Sequence, residues 1–167
     1  GIGGFITVRD PEKGEIPKGL VVGRRESTMG LRGIPETELF FEDLEIPEAM
    51  VLVPPGGFRH GFAGLMAAYN AQRLGAGTVA LGIAAGAFDL ALDYTREREQ
   101  FGRPICEFQG LQWMLCDMAT GLDAARLMIW RAAQSADASG FPDMTYAAQA
   151  KIVASETAIK VTNDALQ

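Results

Sequence analysis

The chain has 167 residues and a formal net charge of −6, with 48% hydrophobic and 22% charged residues. This balance indicates a folded protein, and the negative charge disfavours a nucleic-acid binder, because phosphate recognition needs a basic surface. The length suits one domain, or one domain with part of another. No apolar run is expected to be long enough to cross a bilayer.

The first 53 residues are predicted to form strands and turns. Alternating or β-branched runs indicate strands at 4–8, 20–22 and 38–47, with a turn-rich loop at 10–14. Three or four strands bury too little surface for an independent core. We therefore expect this segment to belong to a larger sheet.

The remainder, 54–167, is predicted to be helical. The first helix runs from about His60 to Arg96, with apolar residues at helical spacing at Leu65, Tyr69, Val79, Ile83, Leu90 and Tyr94. Glycines within it are interpreted as sites of tight helix packing, namely Gly64, Gly75, Gly77, Gly82 and Gly86.

Two more helices are predicted after Gly102-Arg103-Pro104. One runs from about Glu107 to Ser135, a turn follows at 137–142, and the last runs from Met144 to the end. The apolar positions of the second helix are Phe108, Leu111, Leu115, Met118, Leu122, Ala125 and Ile129, and those of the third are Ala147, Ala150, Val153 and Ile159.

These three helices, with short connections, predict an up-down bundle with three of its four helices present. The fold class is therefore mainly α, preceded by the last strands of a β domain. An incomplete sheet at one end and an uncapped helix at the other lead us to expect a fragment.

The two cysteines and the single histidine limit the chemistry. Cys106 and Cys116 are ten residues apart in what is predicted to be one helix, too far for a disulfide. We expect buried free thiols in a reducing compartment. His60 is predicted to lie in a loop, and no metal site is expected. Trp113 and Trp130 are interpreted as core or interface anchors.

Two segments together resemble the acyl-CoA dehydrogenase family. The first is MGLRGIPETELFFEDLEIP at 29–47, similar to the end of the family's middle β domain. The second is YTREREQFGRPI at 94–105, followed by Phe108-Gln109 and by LCDMA at 115–119. The resemblance implies that 1–53 are the C-terminal part of the middle β domain and that 54–167 are most of the C-terminal helical bundle.

The resemblance also implies bound FAD. Arg98 is the best candidate ligand, because an always-charged guanidinium at the negative end of a helix offers forked donors to a pyrophosphate. The family's arginine there commonly contacts the FAD of a neighbouring subunit. On the alternative interpretation, Arg98 is a solvent-exposed arginine paired with Glu97 or Glu99. Further cofactor-binding positions implied by the resemblance are Gln100, Phe101, Gln109 and Gln167; Phe101 could instead be an inter-helix plug.

A third cluster matches family positions that face the acyl-CoA substrate, at Asn70, Gln72 and Arg73. One branch of the family has its catalytic glutamate where this chain has Gln72. Abstraction of the α-proton needs a carboxylate, and an amide is not basic near neutral pH. No catalytic residue is therefore assigned within the chain, which is expected to be inactive by itself.

Three hypotheses follow. The leading one is an FAD-dependent acyl-CoA dehydrogenase of fatty acid metabolism, whose catalytic base lies beyond Gln167 and which passes hydride to FAD. The second is a base-less lyase like 3-sulfinopropionyl-CoA (3-sulfinopropanoyl-CoA) desulfinase. The third is a non-catalytic helical interaction module.

The resemblance also gives expectations about partners. It implies an acyl-CoA substrate, an acceptor such as an electron-transfer flavoprotein, and a homotetramer or homodimer. The expected location is the bacterial cytoplasm or the mitochondrial matrix, with neither nucleic acid nor membrane as a partner.

Overall fold

The computed structural model describes residues 3–8, 14–54, 56–136 and 140–167. The chain divides into two compact units, Gly1–Phe62 and Ala63–Gln167. The domain boundary expected between residues 53 and 54 remains a prediction about the whole protein. Most of the predicted loop at 10–14 and the start of the turn at 137–142 lie outside the described residues, at 10–13 and 137–139.

The first unit contains two small antiparallel sheets. In one, β1 (Gly4–Phe5) pairs with β4 (Val51–Leu52). In the other, β2 (Leu20–Arg25) pairs with β3 (Thr37–Phe41), with a register shift between Val22 and Arg25. Both sheets are short, as expected for strands that form part of a larger sheet.

Two strands differ from the prediction. The strand expected at 4–8 ends at Phe5, and the one expected at 38–47 ends at Phe41, so the last strand of this unit is β4. Asp43 adopts a φ of 51°, which is incompatible with an extended strand, and a 3-10 turn at Glu48–Met50 follows. Alternation in the sequence does not reveal this turn.

Gly19 is required by the backbone where β2 begins. Its φ is +89°, and a Cβ there would lie 2.5 Å from the carbonyl oxygen of Glu42. The Glu42 amide in turn donates to the Gly19 carbonyl over 2.8 Å. This close approach ties the start of β2 to the end of β3.

The second unit confirms the three predicted helices and the mainly helical fold class. They are α1 (Gly61–Glu97), α2 (Gln109–Gln134) and α3 (Met144–Leu166). The start of α3 is fixed by Asp143, whose side chain accepts a hydrogen bond from the Tyr146 amide at 2.9 Å. Arg131 joins α2 to α3, since its guanidinium lies over the Tyr146 ring and donates to Gln149.

The core of this unit contains mostly small and medium side chains. The predicted faces of α2 and α3 are confirmed at Met118, Leu122, Ala125, Ile129, Ala147 and Ala150, all of which are buried. Ala154 and Val161 are also buried, whereas Ile159 is exposed. Phe108, Leu111, Leu115 and Val153 are half-buried.

The buried face of α1 differs from its pattern of large apolar residues. Its buried core residues are Leu81 and Ala84, and Leu74, Ala85, Phe88 and Ala91 are partly buried against the same core. All six large residues used to predict the helix are exposed. Gly77 lies against α3, where an added Cβ would be 3.5 Å from the Cβ of Ala154. The tight-packing interpretation is thus confirmed at Gly77, while a Cβ at the other four glycines would meet nothing within 4 Å among the described residues.

The cysteines are not in one helix, and neither of them is buried. Cys106 lies in a separate 3-10 turn, Ile105–Glu107, because Phe108 adopts an extended conformation before α2 begins. Both thiols are free, but Cys116 is exposed and Cys106 is half-buried. Trp113 and Trp130 are 65% and 56% exposed, so neither is a core residue.

The segment Phe58–Glu97, which includes α1, is long and apolar enough to cross a membrane by length and composition alone. The expectation that no apolar run reaches this length is therefore wrong. Core helices of soluble proteins reach the same length and hydropathy. The helix also carries a charged residue, Arg73, a third of the way along.

Candidate functional site

A tight hairpin follows α1 and carries several predicted cofactor residues. Strand β5 (Glu99–Gln100) pairs with β6 (Arg103–Pro104), so that Gln100 lies opposite Arg103. The two turn residues, Phe101 and Gly102, have φ values of 54° and 77°. Two successive positive φ values are typical of a type I′ hairpin turn, whose twist matches that of the strands.

Backbone hydrogen bonds fix this hairpin to the end of α1. The Arg98 amide donates to the Tyr94 carbonyl, and the Ile105 amide donates to the Arg98 carbonyl, both over 2.8 Å. Arg98 thus lies between the last turn of the helix and the returning strand. Its side chain therefore projects from a backbone that is held on both sides.

Aromatic contacts hold the tip of the hairpin. The Arg103 guanidinium lies 4.2 Å from the centroid of the Phe108 ring, and the Phe101 ring meets Phe108 edge-on at 6.1 Å. Phe101 remains 93% exposed, so the interpretation as an inter-helix plug is wrong. Its ring stands at the surface, where it could stack on a ligand or on another protein surface.

Arg98 itself is exposed and unpaired. Within the part of the chain that the structure describes, its guanidinium forms no ion pair with Glu97 or Glu99. Its neighbour Arg96 is bonded within the helix, to Asp93 at 3.2 Å. Arg98, and not Arg96, follows the end of α1, where the helix dipole favours a cation. Its guanidinium donors are therefore available to a ligand.

Gln109 and Gln167 have different surroundings. Gln109 is exposed at the first position of α2. Gln100 is also exposed, and its side-chain amide donates a hydrogen bond to the backbone carbonyl of Glu99. Gln167 lies at the end of α3, where it lines a cavity of about 640 Å³. The other lining residues are mainly apolar and come from α1, α2 and α3, including Leu90, Tyr94, Leu115 and Leu166. The structure thus brings Arg98, Gln100 and Phe101 together on one hairpin. Gln167 lines a mainly apolar cavity, to which Tyr94 and Ile105 on either side of the hairpin also contribute.

The exposed groups fit a dinucleotide cofactor in their chemistry. A forked cation suits a pyrophosphate, amide side chains suit the polar edges of a nucleotide, and an exposed ring offers a stacking face. All of them lie on an open surface, so these residues alone do not enclose a ligand. An exposed arrangement of this kind is compatible with a cofactor held between this corner and another protein surface.

Arg103 was not predicted from the sequence, where Gly102-Arg103-Pro104 appeared only as a helix break. The structure places its guanidinium on the same hairpin as Arg98, packed on Phe108. The available signal was the Phe-Gly pair at 101–102, which is compatible with a two-residue hairpin turn and would have placed Arg103 opposite Gln100.

The second candidate cluster lies on α1. The Arg73 guanidinium donates to the side-chain oxygen of Asn70 over 2.7 Å. Asn70 is only 6% exposed, Arg73 is half-buried and Gln72 is exposed. The structure therefore brings Asn70 and Arg73 into direct contact. Gln72, which directly precedes Arg73 in the helix, faces outward.

Comparison with known proteins gives a consistent family. The family described as "Acyl-CoA dehydrogenase, C-terminal domain" matches residues 59–167. A 3-sulfinopropanoyl-CoA desulfinase from Variovorax paradoxus is 63% identical over 167 residues, covering all of this chain and 41% of the relative. A cyclohex-1-ene-1-carbonyl-CoA dehydrogenase from Syntrophus aciditrophicus is 46% identical over 149 residues, which are 89% of this chain and 35% of the relative.

A solved structure agrees. Butyryl-CoA dehydrogenase from Megasphaera elsdenii superimposes with a TM-score of 0.83 and 34% identity, covering 95% of this chain and 43% of that one. The chain thus spans less than half the length of these proteins. With the family matched over most of its length and the helical fold shared, the chain belongs to the acyl-CoA dehydrogenase family.

Proposed function

We propose that the protein containing this chain is an acyl-CoA lyase of the 3-sulfinopropanoyl-CoA desulfinase type. The reaction replaces the sulfino group of the acyl chain by hydrogen and releases sulfite. One water balances it: the C–S bond breaks, the carbon gains a hydrogen, and the sulfur leaves with the oxygen as bisulfite. No external electron acceptor is consumed.

Gln72 is the observation that carries this proposal. It occupies the position where, by the family resemblance, one branch has its catalytic glutamate. The side chain is exposed on α1, beside the Asn70–Arg73 pair. An amide cannot accept an α-proton near neutral pH, so this position lacks the base that dehydrogenation needs.

The pattern of relatives supports the same choice. The relative named as a desulfinase is 63% identical over the whole chain, whereas the relative named as a dehydrogenase is 46% identical over 89% of it. Both comparisons concern less than half of those proteins. The activity of the whole protein is therefore our proposal and rests on Gln72 together with this difference in identity.

The hairpin after α1 is proposed to hold FAD, as the resemblance implies. Arg98 would bind the pyrophosphate, and Gln100, Phe101, Gln109 and Gln167 would contact other parts of the cofactor. FAD, when bound, supplies a ring system that can accept a hydride. The exposed, unpaired guanidinium of Arg98 supports the assignment most directly.

Acyl-CoA dehydrogenation, the leading hypothesis from the sequence, remains the second candidate. In it the base comes from a segment beyond Gln167, Gln72 only lines the site, and an electron-transfer flavoprotein takes the electrons. The dehydrogenase relative and the butyryl-CoA dehydrogenase structure support this candidate. Family membership supports an enzyme in both cases, rather than the non-catalytic helical module.

We further propose that the enzyme assembles as a homotetramer or homodimer in the bacterial cytoplasm or mitochondrial matrix. The exposed indoles of Trp113 and Trp130 support assembly, because large aromatic side chains are enriched at protein interfaces. A place in fatty acid metabolism belongs to the dehydrogenase candidate alone.

The two candidates differ in what they release and in what they require. The full-length protein is incubated with 3-sulfinopropanoyl-CoA without an electron acceptor, and sulfite is measured. The lyase proposal predicts sulfite in proportion to the acyl-CoA consumed. No sulfite from this substrate, together with acceptor-dependent oxidation of butyryl-CoA, would favour the dehydrogenase.

A further inference from the structure

Arg73 is an isolated cation on an apolar helix. From Gly61 to Phe88 it is the only charged residue of the sequence. It is half-buried, and no carboxylate lies within ion-pair distance of it among the described residues. A guanidinium remains charged at all physiological pH values, so the helix carries a permanent positive charge here.

The partner that holds Arg73 is neutral. One guanidinium nitrogen donates to the amide oxygen of Asn70 over 2.7 Å, and Asn70 is almost fully buried. This bond fixes the orientation of Arg73 without cancelling its charge. A guanidinium has five N–H donors, and this contact uses one of them, so most of the fork stays available.

A half-buried charge without a counter-ion carries a desolvation penalty, which a nearby anion can offset. Gln72 lies next to Arg73 in the chain, about 100° away around the helix axis. Under the proposed function, Gln72 faces the acyl chain of the substrate. An anionic group carried by that acyl chain would therefore lie near Arg73.

We propose that Arg73 is the specificity-determining residue that recognises an anionic group on the acyl chain, a sulfinate or a carboxylate, and that Asn70 is its positioning residue. Both anions offer paired oxygens that match the guanidinium fork. This inference rests on the proposed function for the placement of α1 against the acyl chain. The neutral Asn70 matters because a carboxylate there would compete with the substrate for the same donors.

The test compares two acyl-CoAs with the same four-carbon chain. Butyryl-CoA ends in a methyl group and succinyl-CoA in a carboxylate, and free coenzyme A carries only the phosphates that both share. Equilibrium dialysis on the full-length protein gives the affinity for each. We expect the native protein to bind succinyl-CoA more tightly than butyryl-CoA.

Asn70→Asp is nearly isosteric and places a carboxylate beside the guanidinium. We expect it to weaken succinyl-CoA binding roughly tenfold more than butyryl-CoA binding, the loss of about one charge-assisted hydrogen bond. Arg73→Gln is expected to remove the preference for succinyl-CoA. Asn163→Asp, which adds the same charge at an exposed position of α3, is the control and should leave both affinities unchanged.

An equal loss of affinity for butyryl-CoA and coenzyme A in Asn70→Asp would assign Arg73 to the phosphates of coenzyme A and overturn the inference. Unchanged succinyl-CoA binding in that variant would overturn it as well. Circular dichroism shows whether each variant is folded, and Asn70→Asp keeps the test decisive if Arg73→Gln does not fold. An Arg73-dependent preference for succinyl-CoA in a protein that releases no sulfite would support Arg73 while refuting the lyase.

Discussion

At the scale of single residues, the contrast between Arg98 and Arg96 shows why position alone does not define a site. The two arginines are two positions apart at the end of α1. Arg96 is bonded to Asp93 in its own helix, whereas Arg98 follows the helix end and its guanidinium forms no ion pair with any of the described residues. Only the second has its full set of donors available to a ligand.

We predict that Arg98→Ala in the full-length protein lowers the flavin bound per subunit, because it removes the cation proposed to face the pyrophosphate. The substitution should change the free energy of unfolding by no more than about 0.5 kcal/mol, since the side chain is exposed and unpaired. The ratio of flavin absorbance to protein concentration measures the effect. Arg96→Ala is the matched control, and equal flavin content in both variants would contradict the assignment.

Gln72 is the residue on which our choice between the two candidate reactions rests. We predict that Gln72→Glu is tolerated, because the side chain is exposed, and that it introduces exchange of the α-hydrogens of butyryl-CoA. Proton NMR in D₂O measures this exchange. Gln149→Glu adds the same charge on an exposed position of α3 and should behave like the native protein.

Rapid α-hydrogen exchange by the native protein would contradict this account of Gln72, because it would require a base elsewhere in the enzyme. No exchange in Gln72→Glu would indicate that the side chain points away from the thioester.

At the scale of helices and strands, the positions of the three helices could be predicted from the sequence, but the buried face of α1 could not. Proline, glycine and the Asp143 cap act locally, so they mark where helices begin and end. Which face is buried depends on the partners. Leu65 and Ile83 fit a helical pattern and are nonetheless exposed, whereas Ala84 is buried.

The candidate site, too, could be predicted from the sequence only in part. The candidate cofactor positions at 98, 100 and 101 could be placed on one corner from the sequence, because they follow the helix end directly. Arg103 was missed, since its contact with Phe108 depends on the hairpin turn and on the 3-10 turn that follows. The Asn70–Arg73 hydrogen bond required coordinates, because a spacing of three residues permits such a contact without requiring it.

Gly77 is where the packing of α1 against α3 can be tested. An added Cβ would make an ordinary contact with Ala154, so Gly77→Ala should be neutral or stabilise by up to about 1 kcal/mol through helix propensity. Gly77→Leu would force the helices apart and should destabilise by about 1–3 kcal/mol. Urea unfolding of the full-length protein measures both. Equal stability of the two variants would show that α3 does not lie against this position.

At the scale of the whole molecule, the exposed aromatic residues and the open hairpin indicate surfaces that are completed by other parts of the protein. Phe101, Trp113 and Trp130 are all more than half exposed. Large exposed aromatic side chains are typical of protein interfaces. This supports a cofactor site formed between this chain and another surface.

We propose that the protein containing this chain releases sulfite and needs no electron acceptor. The most direct measurement is the product balance when the full-length protein is incubated with 3-sulfinopropanoyl-CoA under anaerobic conditions without an acceptor. We expect one sulfite and one propanoyl-CoA for each substrate molecule consumed. Formation of an α,β-unsaturated acyl-CoA that depends on an added acceptor, without sulfite, would contradict it.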